Sequence, residues 1–284
     1  MLRRLLTKPL RWGLNLAGRV YVPGPELADA LAIAIRLADE GLVSTLGYFQ
    51  GTGDFPPKVA GETLALIEAI GRRLPGAYAS IKAPALGFNP DLLAAVAESA
   101  KAGGILLHFD SHERLTRETT LACVEAVAAL GVATGLTLPG RWIDSVEDAA
   151  WASHLGIRAR VVKGEWADPT DPGRDRRKGF LAVVDTLAGR APAVAVATHD
   201  AGLVRESVAR LHAAGTPCEI ELLHGLPRRE IVEFARKAHV PVRIYVPFGA
   251  AWRPYALSKV AENPRMLGWL VRDALRGLRL PNRK

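Results

Sequence analysis

The sequence predicts an α/β protein, a closed (β/α)8 TIM-type barrel with N-terminal helices and a long C-terminal helix. Eight short apolar runs are each followed by an amphipathic helical pattern, which is typical of a parallel sheet with helical crossovers. Glycines stand at or just beyond helix ends, where left-handed caps are needed: Gly104, Gly131, Gly156, Gly189 and Gly215. A doubly wound open sheet is the alternative, but the sequence lacks its glycine-rich phosphate fingerprint after the first strand. The pattern therefore favours the barrel.

The elements follow in a regular order. Residues 1–20 have the pattern of a basic amphipathic helix, and a second helix covers 26–41. Strands are predicted over 43–49, 78–82, 105–110, 132–138, 158–164, 194–199, 219–224 and 242–248. Helices are predicted over 57–74, 90–102, 117–130, 145–155, 177–187, 202–214, 229–239 and about 252–275. We expect an N-terminal helical segment, residues 1–42, followed by a single catalytic barrel domain, residues 43–284.

Composition limits the class of protein. Hydrophobic residues make up 49% of the chain and charged residues 23%, which are ordinary globular values and argue against disorder. Cys123 and Cys218 lie in separate apolar segments without metal-ligand spacing, which favours a reducing compartment and no metal site. The sequence has neither an apolar run long enough to span a bilayer nor a signal-peptide pattern, so we expect a cytoplasmic protein.

The net charge of +8 is concentrated at the two ends of the chain. The basic residues there are Arg3, Arg4, Lys8, Arg11, Arg272, Arg276, Arg279, Arg283 and Lys284. Leucines interleave with the first group, so a peripheral contact with the anionic inner membrane face is one interpretation. Solvated chain ends explain the pattern equally well. No nucleic-acid-binding signature accompanies it.

Polar side chains recur where the predicted strands end, and in a barrel these ends share one face. The positions are Gln50, Lys82, Asp110, Leu138, Lys163, Glu165, Thr198, His199, Asp200, His224 and Tyr245, of which only Leu138 is apolar. Each alone has an ordinary structural explanation; an aspartate, for example, often caps a helix. Their convergence on one face predicts a ligand site.

Seven motifs at these strands resemble the proline dehydrogenase family, flavin enzymes built on a distorted (β/α)8 barrel. They are VSTLGY at 43–48, SIK at 80–82, FDSHE at 109–113, RVVKG at 160–164, ATHD at 197–200, ELLHG at 221–225 and YVPFG at 245–249. Tyr255 followed by Glu262 has the spacing of that family's substrate helix. The resemblance covers about residues 20–275.

The resemblance implies non-covalently held FAD. Arg160 would lie near the reactive edge of the isoalloxazine and stabilise the electron-rich reduced ring. Lys163 and Gly164 would contact the pyrophosphate and ribityl region, and Thr198 and His199 the adenosine half or the phosphates. The same resemblance implies cofactor contacts for His224, Ser111, Glu165 and Leu138. Catalytic roles fall to Arg160, Asp110 and Lys82, with the last two as a charge pair near the substrate. The substrate would be held by Lys82, Tyr245, Tyr255, Ser258, Lys259 and Glu262.

The sequence also departs from the family pattern. Two adjacent arginines normally clamp the substrate carboxylate, whereas this chain has Ser258 and Lys259 there. Gln50 and Gly51 follow the first strand where the family has a glutamate that pairs with one arginine. A flavin-binding glutamine falls near Thr137 and Leu138, and we take Leu138 as the match. Trp166 replaces an aromatic residue that is usually tyrosine.

The sequence thus predicts an FAD-dependent dehydrogenase that oxidises a C–N bond of proline or a related amine or imino-acid-like substrate. Hydride would pass to flavin N5, and electrons would pass on to a quinone or another acceptor. The alternative is a flavin-free barrel that binds a ligand or a partner protein, which Leu138 and the missing arginine clamp favour.

Overall fold

A computed structural model describes residues 24–249. Its eight strands form a closed barrel in which each strand pairs in parallel with the next along the chain, and the eighth pairs with the first. The strands are β1 Val43–Tyr48, β2 Tyr78–Ile81, β3 Leu107–Phe109, β4 Thr134–Pro139, β5 Arg158–Val162, β6 Val194–Ala197, β7 Cys218–Leu223 and β8 Val242–Phe248. The predicted barrel is confirmed, although β3 is shorter than its apolar run suggested. The long helix predicted over 252–275 lies outside the described residues.

Helices cover the outside of the barrel between the strands. They are α1 Leu27–Asp39, α2 Pro56–Arg73, α3 Pro90–Gly103, α4 Arg117–Ala129, α5 Ser145–His154, α6 Arg176–Leu187, α7 Ala201–Ala213 and α8 Arg229–Ala238. The five predicted glycine caps all have left-handed backbone, with φ between 62° and 75°. Glycine is needed there because a Cβ atom makes this conformation costly. None of the helices within 24–249 is long and apolar enough to cross a membrane.

The apolar core is the layer between strands and helices. Leu107, Phe109, Leu136 and Val161 point outward from the strands and are at most 3% exposed. Helix α1 contributes to the same core through Ala30, Ala34 and Leu37, among others. The residues next to these along the strands must point into the barrel, because successive strand side chains alternate between faces. The packing of the outer layer therefore fixes which residues face the interior.

The interior of the barrel is charged, whereas branched aliphatic residues usually fill this space. Near the amino ends of the strands, Glu219 is 2.5 Å from both Arg243 Nε and Arg158 Nη2, and the Arg243 guanidinium lies 3.5 Å from the centre of the Tyr78 ring. We call Tyr78, Arg158, Glu219 and Arg243 the lower ion cluster. A second group of charges lies towards the carboxyl ends of the strands and includes Arg160 and Glu221, two residues further along β5 and β7.

Candidate active site

A cavity of about 550 Å³ opens at the carboxyl ends of the strands, within the usual volume range of small-molecule pockets. All eight strands or the loops after them contribute to its walls. The lining residues are Phe49, Gln50, Lys82, Asp110, Ser111, His112, Thr137, Arg160, Val162, Gly164, Glu165, Trp166, Ala197, Thr198, His199, Glu221, Leu222, Leu223 and Tyr245. Most of the predicted strand-end residues therefore meet in one place.

Asp110 is the centre of the cavity floor. Its Oδ1 accepts hydrogen bonds from Ser80 Oγ and from Arg160 Nη1, each at 2.7 Å. Its Oδ2 accepts one from Tyr245 at 2.8 Å and lies 3.5 Å from Lys82 Nζ. Burial alone would raise the pKa of Asp110, but the two cations and the two hydroxyl donors outweigh it and lower the pKa. Asp110 is therefore an ionised anchor whose lone pairs are already used.

Arg160 is held by two carboxylates. Its Nε and Nη2 donate to the two Glu221 oxygens at 2.8 Å each, and its Nη1 donates to Asp110. Arg160 and Glu221 are each only 4% exposed, so water scarcely screens the pair. Burial opposes the charged form of Arg160, but the two carboxylates reverse this and raise its pKa. We call Lys82, Asp110, Arg160 and Glu221 the upper ion cluster.

The predicted charge pair between Lys82 and Asp110 is present. Lys82 Nζ also lies 3.7 Å from the centre of the Phe49 ring and 3.5 Å from the Tyr48 carbonyl oxygen. Burial lowers the pKa of Lys82, although Asp110 partly offsets the effect. Lys82 is thus the most loosely held charge of the upper ion cluster and the one best able to exchange a proton.

Tyr245 reaches Asp110 only because Gly47 on the neighbouring strand has no side chain. A Cβ atom at Gly47 would lie 2.5 Å from the Tyr245 hydroxyl oxygen, much closer than real contacts allow. The close approach explains glycine in the middle of a strand, where it is otherwise unfavourable. Burial and the Asp110 charge raise the pKa of Tyr245 well above its usual value, so its hydroxyl remains a donor.

Gly47→Ala should displace the Tyr245 hydroxyl and break its hydrogen bond to Asp110. If the cavity carries out the cyclic-amine oxidation that the sequence predicts, we expect at least a tenfold loss of kcat/KM, since a lost hydrogen bond to a charged group is worth about 1.5–3 kcal/mol. Gly61→Ala is the matched control, because a Cβ there meets nothing within 4 Å. Unchanged kcat/KM in Gly47→Ala would remove Tyr245 from the site.

The structure corrects the choice of Leu138 in strand β4. Leu138 is 1% exposed and lies in the apolar core outside the barrel, whereas Thr137 lines the cavity. Thr137 Oγ1 lies 2.9 Å from His108 Nε2 and accepts a longer hydrogen bond of 3.4 Å from Arg160 Nη1. Adjacent strand residues face opposite sides, so only one of the two can reach a ligand. That residue is Thr137.

The turn after strand β5 places Gly164 and Glu165 on the cavity wall. Gly164 has φ +89°, and a Cβ atom there would lie 3.0 Å from Pro139 and Arg141 side-chain atoms. Glycine is therefore needed here, because a side chain would be strained and would crowd these two neighbours. Lys163, next to it, is absent from the cavity lining, and its ammonium nitrogen is 2.9 Å from the Asp200 carboxylate. Lys163, the cation predicted to contact the cofactor's pyrophosphate, is thus already paired with an acidic side chain.

Both ring nitrogens of His199 are bound by the backbone. The Leu223 amide donates to Nε2 at 2.9 Å, so Nδ1 carries the proton and donates to the Pro227 carbonyl at 3.0 Å. Burial lowers the pKa of His199, which favours this neutral form. His199 contributes a ring face to the cavity and braces the loop after β7. Thr198, predicted from its place at a strand end, also lines the cavity, and so does Ser111, which the family resemblance suggested.

His224 does not belong to the cavity lining, contrary to the prediction. It follows β7, but burial together with the charges of Arg228 and Arg36 lowers its pKa to about 4. Among the described residues, its Nδ1 has no hydrogen-bond partner. Strand position and the family resemblance both suggested the cavity, whereas the turn after β7 directs the ring elsewhere.

His224 should make stability depend on pH. Its pKa falls from 6.5 to about 4 on folding, so the unfolded chain binds the extra proton between these values. Stability is then fully present above pH 6.5 and falls as the pH drops towards 4. In His224→Gln the decrease in melting temperature between pH 7 and 4.5 should be smaller than in the wild type. His212→Gln, at an exposed site, is the control; equal decreases in all three proteins would contradict the assignment.

Several predicted positions need separate mention. Tyr255, Ser258, Lys259 and Glu262 lie outside the described residues.

The loop after β1 lacks the family's glutamate beside Gln50, but it does contain an aspartate. Asp54 accepts hydrogen bonds at 2.7 Å from the Tyr48 hydroxyl and the Gly51 amide. In the stretch 24–249, His, Cys, Asp and Glu side chains form no group of three or more suited to a metal ion.

The sequence interpretation gave no role to Glu221, His108 or Ser80. Glu221 stands two residues after Glu219 in β7, and this spacing of two is the signal that both face the barrel interior. His108 and Ser80 occupy the same face of β3 and β2. Burial and the surrounding arginines lower the pKa of His108 well below its usual value, so it is a neutral hydrogen-bonding group.

Fold and cavity together define a (β/α)8-barrel protein with a charged cavity at the carboxyl ends of its strands. No family model matches the chain. It is 24% identical over 283 residues to proline dehydrogenase 1 of Bacillus subtilis, covering 93% of each protein. It is 27% identical over 287 residues to the proline dehydrogenase of Deinococcus radiodurans, covering 93% of this chain and 91% of that one.

Comparison with solved structures gives the same relationship at the level of the fold. Proline utilization A from Bdellovibrio bacteriovorus, solved after inactivation by N-propargylglycine, superposes with a TM-score of 0.77 at 14% identity over 89% of this chain. The chain spans 33% of the length of that protein. A second solved structure, proline utilization A from Corynebacterium freiburgense, gives a TM-score of 0.71 at 16% identity. The resemblance to the proline dehydrogenase family that the strand motifs predict is confirmed.

Proposed function

We propose that this protein is an FAD-dependent dehydrogenase that oxidises the C–N bond of proline or a related cyclic amine. The observation that carries the proposal is the upper ion cluster, a preorganised set of charges on the floor of a cavity of about 550 Å³. It occurs in a chain related to proline dehydrogenases over nearly the whole length of both proteins. FAD would accept the hydride from the carbon next to the substrate nitrogen.

The chemistry of the cavity wall suits a flavin. Arg160, Thr137 and Ser111 offer donors to the carbonyl oxygens and ring nitrogens of a flavin, and Gly164 lines the same cavity. Thr198 and the His199 ring face would hold the adenosine half. Lys163 would contact the pyrophosphate if its ammonium group, 2.9 Å from Asp200, bridges the two anions.

The chain's own residues would prepare the substrate amine. Oxidation at the C–N bond requires a free nitrogen lone pair, so the ammonium proton must first leave. Lys82 can hold that proton at Nζ, because burial lowers its pKa and its contacts with Asp110 and Tyr48 are long. Asp110 would keep Lys82 and Tyr245 in place, and the Phe49 ring would exclude water from one side of Lys82.

The proposal is tested by purifying the protein under native conditions and recording its visible absorbance. We expect a flavin band, and bleaching of that band when proline, pyrrolidine or another cyclic amine is mixed in without oxygen. Lys82→Met should retain the band but bleach about 10²-fold more slowly, at the lower end of the usual contribution of a general base. Colourless protein that takes up no added FAD would instead support a ligand-binding or partner-binding barrel. Quinone reduction by the bleached protein would identify the electron acceptor class.

A further inference from the structure

With Lys82 protonated, the upper ion cluster carries no net charge. Lys82 and Arg160 are its two cations, and Asp110 and Glu221 are its two carboxylates, all within one layer of the barrel interior. His108 and Tyr245 face the same layer, but both are neutral because burial shifts the pKa of each away from its charged form. The positive charge of the Arg160 guanidinium on the cavity floor is therefore fully compensated.

Glu221 is the residue responsible for this balance. Without it, two cations would face the single carboxylate of Asp110. Glu221 also fixes the orientation of Arg160, since both of its oxygens accept hydrogen bonds at 2.8 Å from the edge of the guanidinium formed by Nε and Nη2. One side chain thus controls both the direction of Arg160 and the potential that it creates.

This compensation matters for a flavin above the cluster. A reduced flavin ring is richer in electrons than an oxidised one, so a nearby uncompensated cation raises the midpoint potential. A carboxylate that cancels the cation lowers it again, and the effect is large where water is excluded. Arg160 and Glu221 are both 4% exposed.

We propose that Glu221 is a positioning residue that orients Arg160 and lowers the midpoint potential of the bound flavin by cancelling the charge of the upper ion cluster. This inference rests on the proposed function, because it concerns a flavin in the same cavity. It makes the reduced protein a stronger electron donor and makes substrate oxidation less favourable than an uncompensated arginine would.

The test is the midpoint potential of the flavin, measured by anaerobic titration with a reference dye. Glu221→Gln preserves the size of the side chain and one acceptor oxygen but removes the negative charge, so its potential should be more positive than that of the wild type. Glu221→Asp preserves the charge but cannot reach both guanidinium nitrogens. Its potential should stay near the wild-type value while flavin reduction becomes slower.

Glu219→Gln is the matched control. Glu219 lies two residues earlier on the same face of β7, about 7 Å further from the cavity at roughly 3.3 Å per residue, and belongs to the lower ion cluster. The same loss of charge there should shift the potential less. Equal shifts in the two glutamine variants, or no positive shift in Glu221→Gln, would overturn the inference and leave the proposed function intact.

If Glu221→Gln does not fold, Asp110→Asn removes the same charge from the upper ion cluster and must also raise the potential, and a potential that stays constant overturns the inference. Wild-type protein that binds no flavin would overturn the proposed function and this inference with it.

Discussion

Replacing Arg160 by alanine is expected to slow flavin reduction by about 10²-fold or more, the usual effect of removing a preorganised donor at a reaction centre. The measurement is the rate of flavin bleaching after rapid anaerobic mixing with substrate. Arg158→Ala is the matched control, since Arg158 lies two residues earlier on the same strand and pairs with Glu219 rather than Glu221. A wild-type rate in Arg160→Ala would show that Arg160 does not act on the flavin.

The same substitution should also destabilise the barrel. It leaves Glu221 buried without its cationic partner, and breaking a buried ion pair in this way costs about 3–5 kcal/mol. Arg160→Lys, which keeps one charge but not the bidentate contact, should recover part of both losses. Denaturant unfolding of the two variants separates the effect on stability from the effect on rate.

Rebuilding the family's arginine clamp with Ser258→Arg and Lys259→Arg is expected to raise kcat/KM for proline by at least tenfold. A guanidinium pair grips a carboxylate through bidentate hydrogen bonds, whereas serine and lysine together offer one hydroxyl and one compact charge. The clamp should be worth about 2–5 kcal/mol of binding in a buried site. Adding Gly51→Glu should help further by holding one of the new arginines.

The control for this variant is Ser258→Gln with Lys259→Gln, which adds bulk without charge and should leave proline turnover no better than in the wild type. The substrate preferred by the wild type should have its acid group absent, masked or displaced. If the unmodified protein turns over proline as fast as the rebuilt variant or faster, the hypothesis is wrong and proline is the substrate.

The sequence was sufficient for the outline of the fold. Apolar runs marked the strands, and glycines marked the helix ends, because a cap such as Gly104 at φ +62° depends on local backbone sterics alone. The convergence of Lys82, Asp110 and Tyr245 also followed from sequence, since parallel strands bring their carboxyl ends to one face. These predictions required only element order and position along the chain, whereas Arg160 was placed at the site by the family resemblance.

Side-chain direction was harder to predict. The choice between Thr137 and Leu138 depends on the register of β4 against its neighbours, which sets which residue faces the interior. His224 follows its strand directly, but the turn takes its ring away from the cavity. Glu221 was read as part of a motif without a partner, because its pairing with Arg160 joins residues far apart in the chain.

The charged interior has a consequence for how the barrel can close. Sliding a strand by one residue exchanges its two faces, so β5 would point Arg158 and Arg160 into the apolar layer and bring Ala159 and Val161 inside. An aliphatic interior would tolerate such slippage at the cost of some packing. A charged interior would not, because the guanidinium groups would then be buried without partners. The two ion clusters join β3, β5, β7 and β8, and β2 through Lys82 just beyond its end. The two ion clusters therefore specify the register of these strands, and with it the shear of the barrel, because only one alignment lets every charge find its partner.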